Sequence, residues 1–278
     1  MDLTTTLLLI TAGVAAGTVG SMVGVGGGMI IIPLLTQYYG WDFEHARATS
    51  LLAVIATSGG VAVATGRERF VNQRLALVLA LPTVVIALVN ALVTSRVNVT
   101  FLYGLFAAVL LTTSLLMWRG QDPDERDGEE HDEEEAEVGL FDGSYVDPKS
   151  GERVIYRVRY LKGILGISGL AGAISGLLGV GGGVFQVPAM TLLARVPIRA
   201  AAATSNLILG MTAAASLPVY FGRGHVRPLE TAAVLLGVLA GAFVGSAISA
   251  RIGGTALRRS FSFLLIALAW QMGQKALS

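Results

Sequence analysis

The most constraining feature of this sequence is a glycine-rich motif that occurs twice, 155 residues apart. The first copy runs from Gly24 to Pro33 and the second from Gly179 to Pro188, both with the pattern G-x-G-G-G-x4-P. The register continues past the motif, because an Ala-Thr-Ser triplet ends at Ser50 in one copy and at Ser205 in the other. The chain is therefore an internal duplication of about 120 residues per copy, and we expect two related structural units.

The composition indicates an integral membrane protein. Apolar residues make up 53% of the chain, and the mean hydropathy is +0.67. Eight apolar blocks are long enough to cross a hydrocarbon core of about 30 Å, and two shorter apolar blocks follow the glycine runs. We therefore predict an all-α polytopic membrane protein with two repeats, each made of a glycine-broken helix or hairpin plus three transmembrane helices. The predicted long blocks are 4–23, 45–65, 75–93, 98–118, 161–178, 200–221, 229–249 and 257–274, and the short ones are 28–39 and 183–194.

Each glycine run should break its helix inside the membrane. Glycine costs a helix interior about 1 kcal/mol per residue relative to alanine, so three in a row mark an interruption. A broken backbone in lipid must be satisfied by protein or by a water-filled cavity. We therefore expect both breaks to be buried in the helix bundle. The isolated glycines at four-residue spacing, Gly13 and Gly17 in one helix and Gly237 to Gly245 in another, are instead predicted to pack helices together.

The topology depends on whether the glycine block enters and returns or crosses once. If it returns, each half makes an odd number of crossings and the repeats are inverted; if it crosses, the repeats are parallel. Positive charge favours the first arrangement, because it places fifteen basic residues on the linker side and five on the other. This arrangement predicts a cytoplasmic linker and both termini outside, in the plasma membrane.

We divide the chain into repeat 1 (1–119), a linker (120–159) and repeat 2 (160–278). Residues 121–137 carry eleven of the nineteen acids, which is typical of a solvated, disordered run. After it, two alternating segments near 143–146 and 153–158 flank turn-forming residues and predict a small β-hairpin.

The candidate site combines glycine backbone with small polar side chains. A helix that begins inside the membrane offers unpaired N–H groups to an anion, and glycine lets the ligand approach the backbone closely. In inverted repeats the two helix starts would meet near the midplane. The candidate substrate-binding residues are Gly26, Gly27, Gly28, Thr49, Ser50, Gly181, Gly182, Gly183, Gln186, Thr204, Ser205 and Asn206.

Several kinds of chemistry have no residues to carry them. The chain has no cysteine and three scattered histidines, so no metal site is expected. No nucleophile–base–acid set or phosphate loop is present, and the acidic residues of the two repeats lie in loops or at the ends of the predicted spans, as Glu230 does. We therefore expect neither an enzyme nor a bound cofactor.

The doubled motif, followed in each half by Ala-x-Ala-Thr-Ser, resembles the sulfite exporter TauE/SafE family of membrane transporters. The resemblance covers both halves and implies a transporter of sulfite, sulfonates or related organosulfur anions. The asparagine after Thr204 and Ser205 is replaced by Leu51 in the first half, so the two halves would not contribute equally.

Export needs no coupled ion, since a monoanion leaving an inside-negative cell gains about 2.3 kcal/mol per 100 mV. Cation-coupled uptake and a membrane scaffold or sensor remain alternatives. The expected partners are a small anion and the lipid bilayer, not nucleic acid, and a homodimer is the default from symmetry statistics.

Single cysteines introduced at Ser144 and Ser278 test the predicted topology, because the natural chain has none. An impermeant thiol reagent added to intact cells should label position 278 and spare 144, as measured by gel shift. Labelling at both positions, or the reverse pattern, would contradict the inverted arrangement with a cytoplasmic linker.

Overall fold

The protein is a bundle of helices in a computed structural model that describes residues 2–65, 70–93, 97–119, 139–146, 151, 153–249 and 254–277. Within those ranges the helices are α1 (Leu3–Val23), α2 (Gly28–Gln37), α3 (Phe43–Thr65), α4 (Gln73–Val93), α5 (Val99–Arg119), α6 (Leu161–Leu178), α7 (Gly183–Pro188), α8 (Ile198–Gly222), α9 (Pro228–Ser249) and α10 (Gly254–Leu277). A π-helical turn, Ala189–Leu193, continues α7.

The predicted helical segments are confirmed to within a few residues at their ends. In the described part of the chain, seven helices are long and apolar enough to cross a membrane: α1, α3, α4, α5, α6, α8 and α9. The eighth predicted block forms α10, which is not among those seven. Pro33 lies inside α2, because the helix begins as early as Gly28.

Each glycine run reverses the chain, so that a short helix folds back along the long one before it. A Cβ atom on Gly27 would lie 2.9 Å from the Ala16 carbonyl oxygen of α1. In the second half, the Arg159 amide just before α6 donates to the carbonyl of Ala194, just after the π-helical turn, at 3.3 Å. The hairpin of α6 with α7 therefore enters and leaves at the same end of the bundle, which we call the linker end.

Equivalent helices of the two halves pack antiparallel. Helices α3 and α8 occupy equivalent positions; Arg47 near the start of α3 lies over the ring of Tyr220 near the end of α8, at 4.7 Å. Likewise α5 meets α10 with Ser114 donating to the carbonyl of Ser262 at 2.9 Å, while Lys275 lies over the ring of Tyr103. Residues early in one helix thus meet residues late in its counterpart.

The isolated glycines pack α1 against α9, as predicted. A Cβ atom on Gly13 would lie 2.4 Å from the carbonyl oxygen of Val234, and one on Gly241 would lie 2.2 Å from that of Val14. The two backbones approach this closely because glycines stand at the contact in both helices.

The linker contributes the predicted hairpin, β1 (Gly143–Val146) and β2 (Arg153–Tyr156), which pair antiparallel with Gly143 opposite Tyr156. Its inner face is anchored by Tyr145, whose ring lies 5.0 Å from that of Phe70 before α4. The hairpin therefore rests on the linker end of the bundle. The acidic run 121–137 lies outside the described residues.

Replacing Gly241 with alanine should lower the free energy of unfolding by about 1–3 kcal/mol, because the new methyl group overpacks the contact with α1. The measurement is the melting temperature in detergent. Gly166→Ala is the matched control, since its Cβ would meet nothing within 4 Å, and it should be neutral or stabilising. An unchanged melting temperature for Gly241→Ala would contradict a packing role.

Candidate functional site

The two glycine runs lie close together in the centre of the bundle. Gly26 and Gly27 have φ values of +73° and +70°, and their counterparts Gly181 and Gly182 have +79° and +81°. These values lie in the left-handed region that side chains disfavour, so the reversal requires glycine in both copies. A Cβ on Gly28 would approach the backbone of Val180 at 3.5 Å, which places the start of α2 beside the opposite glycine run.

Two serine hydroxyls join the runs by exchanged hydrogen bonds. Ser50 on α3 donates to the carbonyl of Gly179 at 2.9 Å, and Ser205 on α8 donates to the carbonyl of Gly24 at 3.0 Å. Both serines are buried. Each repeat therefore satisfies a carbonyl that the other repeat's broken helix leaves free, which accounts for the recurrence of serine at the same offset.

The threonines before these serines join helices to one another. The Thr49 and Thr231 hydroxyls lie 3.0 Å apart, connecting α3 to α9. The Thr204 hydroxyl accepts a hydrogen bond from the backbone N–H of Asn72 at 3.0 Å, which connects α8 to the start of α4. Both threonines are buried and line neither cavity described below.

An apolar pair fills the space between the glycine runs. A Cβ on Gly26 or on Gly181 would lie within 3.4 Å of both Val54 and Leu209. These two residues are 155 positions apart, so each is the counterpart of the other in the duplication. Each half thus contributes one residue of the pair to the contact between the glycine runs, and together the two side chains close the centre of the bundle.

A cavity of about 780 Å³ opens at the linker end. Its walls come from α3, the start of α4, the β-hairpin and α8, and they include Ser58, Val61, Asn72, Tyr156, Ala203 and Asn206. Ser58 and Asn206 are one helical turn from Val54 and Leu209 along α3 and α8, respectively. The cavity therefore ends about one turn short of the apolar pair.

Asn206 is the polar group at the inner wall of this cavity. It is 1% exposed, and neither its amide nitrogen nor its amide oxygen has a hydrogen-bond partner among the described residues. It also lines a smaller cavity together with Arg199, Ser246 and Ser249. A buried amide without partners costs free energy unless something binds it, so the position is suited to a polar ligand beside a cationic side chain.

Asn72 connects the cavity wall to the hairpin. Its side-chain amide donates to the carbonyl of Phe141 at 2.7 Å, and its side-chain oxygen accepts from the amide of Leu75 at 3.1 Å. Beside it, burial raises the pKa of Tyr156, with Asp142 acting in the same direction and the Asn72 hydrogen bond opposing it. The phenol at the cavity wall is therefore protonated at neutral pH and can donate a hydrogen bond.

The predicted site residues thus occupy four places. Asn206 lines the cavity, the glycines and the two serines form the sealed centre behind the apolar pair, and the two threonines bond to α9 and to the residue before α4. Gln186 lies apart, buried against α4, where its amide nitrogen donates to the Thr83 hydroxyl at 3.0 Å and its oxygen has no partner among the described residues.

Sequence reasoning missed Ser58, Asn72 and Arg199 as cavity residues. Ser58 and Asn72 stand outside the repeated motifs, and Arg199 was counted only as a loop charge. An Asn three residues before a leucine-rich block has the pattern of a helix N-cap, which is the signal that could have singled out Asn72.

Comparison with known proteins gives the chain's relatives. Residues 9–272 match the model of the family described as sulfite exporter TauE/SafE. The chain is 28% identical to the probable membrane transporter protein YunE of Bacillus subtilis, over 96% of both chains. It is 26% identical to a probable membrane transporter protein of Xylella fastidiosa, over 94% of this chain and 93% of that one. No solved structure matches.

Asn206→Leu should not lower the melting temperature of the ligand-free protein, because the substitution removes two buried polar atoms that have no partners. Asn72→Leu is the matched control and should lower the melting temperature, since the side-chain amide of Asn72 makes two hydrogen bonds. An equal loss in both variants would show that the Asn206 amide is bound within the protein.

Proposed function

Because the chain belongs to the sulfite exporter TauE/SafE family, we propose that it transports a small sulfur-containing oxyanion such as sulfite, a sulfonate or a related organosulfur anion across the plasma membrane. The observation that carries this proposal is the unpartnered amide of Asn206 at the inner wall of the linker-end cavity. An oxyanion there would accept a hydrogen bond from the amide nitrogen, with the Arg199 side chain in the adjoining smaller cavity.

The two halves are proposed to be inverted repeats. This is supported by the antiparallel packing of α3 with α8 and of α5 with α10, and by the return of the α6 hairpin to the linker end. Inverted repeats allow alternating access, in which the same centre opens first to one side and then to the other. With the linker on the cytoplasmic side, the observed cavity faces the cell interior.

The anion would move from Asn206 past Val54 and Leu209 to the two glycine runs. At the starts of α2 and α7 the first backbone N–H groups have no partner within the helix. The glycines, with Ser50 and Ser205 bonded to them, would thus form the central part of the site once the apolar pair separates. Export down the membrane potential would follow, since a monoanion gains about 2.3 kcal/mol per 100 mV on leaving.

The test is flux into proteoliposomes across a panel of sulfur oxyanions with an imposed potential. We expect sulfite or sulfonate flux that follows the potential and falls at least tenfold in Asn206→Leu. Thr212→Val is the matched control on the same helix, because its hydroxyl donates to the Ile208 carbonyl one turn back and is not among the residues that line the two cavities described here; its flux should be normal.

Substitutions at Gly27 would be uninformative in this assay, since a Cβ would clash with the Ala16 carbonyl and destabilise the glycine turn. A loss of flux could then come from misfolding. Flux that requires a sodium or proton gradient would support cation-coupled uptake instead. No flux of any sulfur anion by the folded wild-type protein would contradict the proposal.

A further inference from the structure

Arg47 is the one charged side chain that is buried among the described residues, with 0% exposure. It lies one turn into α3, at the end of the bundle opposite the linker. Its guanidinium donates to the Leu177 carbonyl in the last turn of α6 and to the carboxylate of Glu44. The group also lies over the ring of Tyr220, and its Nε atom has no hydrogen-bond partner in the described part of the chain.

The duplication places Arg47 opposite Ala202, 155 residues later. Ala202 packs on Gly24 and lines the smaller cavity beside Asn206. Arg47 packs in the same way on Gly179, the counterpart of Gly24. At the linker end this position of the repeat holds the small side chain of Ala202 beside a cavity. At the opposite end the same position holds the guanidinium of Arg47, which fills the space.

Neighbouring positions change in the same way. Asn206 corresponds to Leu51, which is 1% exposed, and Arg199 corresponds to Glu44. The linker end thus has an alanine, an amide and a cation around a cavity, where the opposite end has a cation, a leucine and an anion packed together. Ala202, Asn206 and Arg199 all line the smaller cavity, so this substitution pattern explains why that cavity opens at the linker end.

The fold does not need an arginine at this position. Ala202 shows that a methyl group is enough to pack against the glycine turn. Burying a guanidinium is costly unless it is well paired, and here Glu44 is itself a quarter exposed and the Nε atom is unpaired. A buried cation that the architecture can replace by alanine points to a functional role.

We propose that Arg47 is a second anion-binding residue of the transport path, which receives the oxyanion in the conformation that opens at the end opposite the linker. This inference rests on the proposed function. By the symmetry of the repeats, Arg47 would then stand beside the opposite cavity as Ala202 stands beside the observed one. In the present conformation the guanidinium donates its hydrogen bonds to Glu44 and to the Leu177 carbonyl.

The competition for Arg47 gives a means of release. While the opposite end is open, an oxyanion replaces Glu44 on the guanidinium with charge-assisted hydrogen bonds. When that end closes, Glu44 and the Leu177 carbonyl return and displace the anion. At the linker end the anion would meet the neutral amide of Asn206 and the half-buried Arg199 instead of a fully buried guanidinium, so the two sides should bind the same anion with different affinity.

The experiment measures sulfite transport with sulfite added at one face or the other, in inside-out and right-side-out vesicles. Orientation is checked by labelling a cysteine at Ser144. Arg47→Gln should raise the KM at least tenfold for sulfite added at the face opposite the linker and leave the KM at the linker face unchanged. Asn206→Leu should do the reverse, and Arg47→Lys should be intermediate.

A second variant keeps the test decisive if Arg47→Gln does not fold. Glu44→Gln removes the carboxylate that competes for the guanidinium, so it should lower the KM severalfold at the face opposite the linker. In Glu44→Gln, an unchanged or raised KM at the face opposite the linker would overturn the inference. In Arg47→Gln, an unchanged KM at that face, or an equal rise of the KM at both faces, would overturn it as well. Absence of wild-type flux contradicts the proposed function itself, whereas normal wild-type flux with no side-specific effect contradicts only the role of Arg47.

Discussion

The structure depends on two hydrogen bonds that cross between the repeats. A helix broken inside a membrane leaves carbonyl groups that lipid cannot satisfy, and here the carbonyls of Gly24 and Gly179 are each bound by a serine of the other half. With these bonds in place, the left-handed glycines can turn the chain back, and α2 and α7 begin beside each other. The apolar pair of Val54 and Leu209 is held between them as a consequence.

On this nearly symmetric frame, a few substitutions make the two ends different. Arg47 and Leu51 fill the space at the end opposite the linker. Their counterparts at the linker end, Ala202 and Asn206, line a cavity. The backbone and the glycine turns are alike in both halves, so the difference lies in side-chain volume and charge. Such a difference would let the two ends bind a ligand with different affinity, which a fully symmetric pair of half-sites could not do.

Much of this architecture was predictable from the duplication alone. The period of 155 residues located the breaks, and the apolar blocks located the helices, because both signals are local in sequence. Asn206 was predicted as a candidate side-chain donor because it directly follows the repeated Thr-Ser pair. The role of Ser50 and Ser205 was not predictable, because their partners lie more than a hundred residues away and depend on how the halves pack. Arg47 was counted as a loop charge, since a basic residue near a segment end ordinarily reaches the interface. Comparing it with Ala202 would have marked it as unusual.

The crossed serine bonds also have a consequence for how the protein is made. The first half of the chain leaves the ribosome with the Gly24 carbonyl unbound, and its partner, Ser205, is synthesised 181 residues later. Until then the first glycine turn inside the bilayer must be held by water or by the insertion machinery. Neither half can complete its own broken helix, so the final arrangement forms only after α8 has been inserted, and a nascent chain that stops before that point exposes an unfinished turn to lipid.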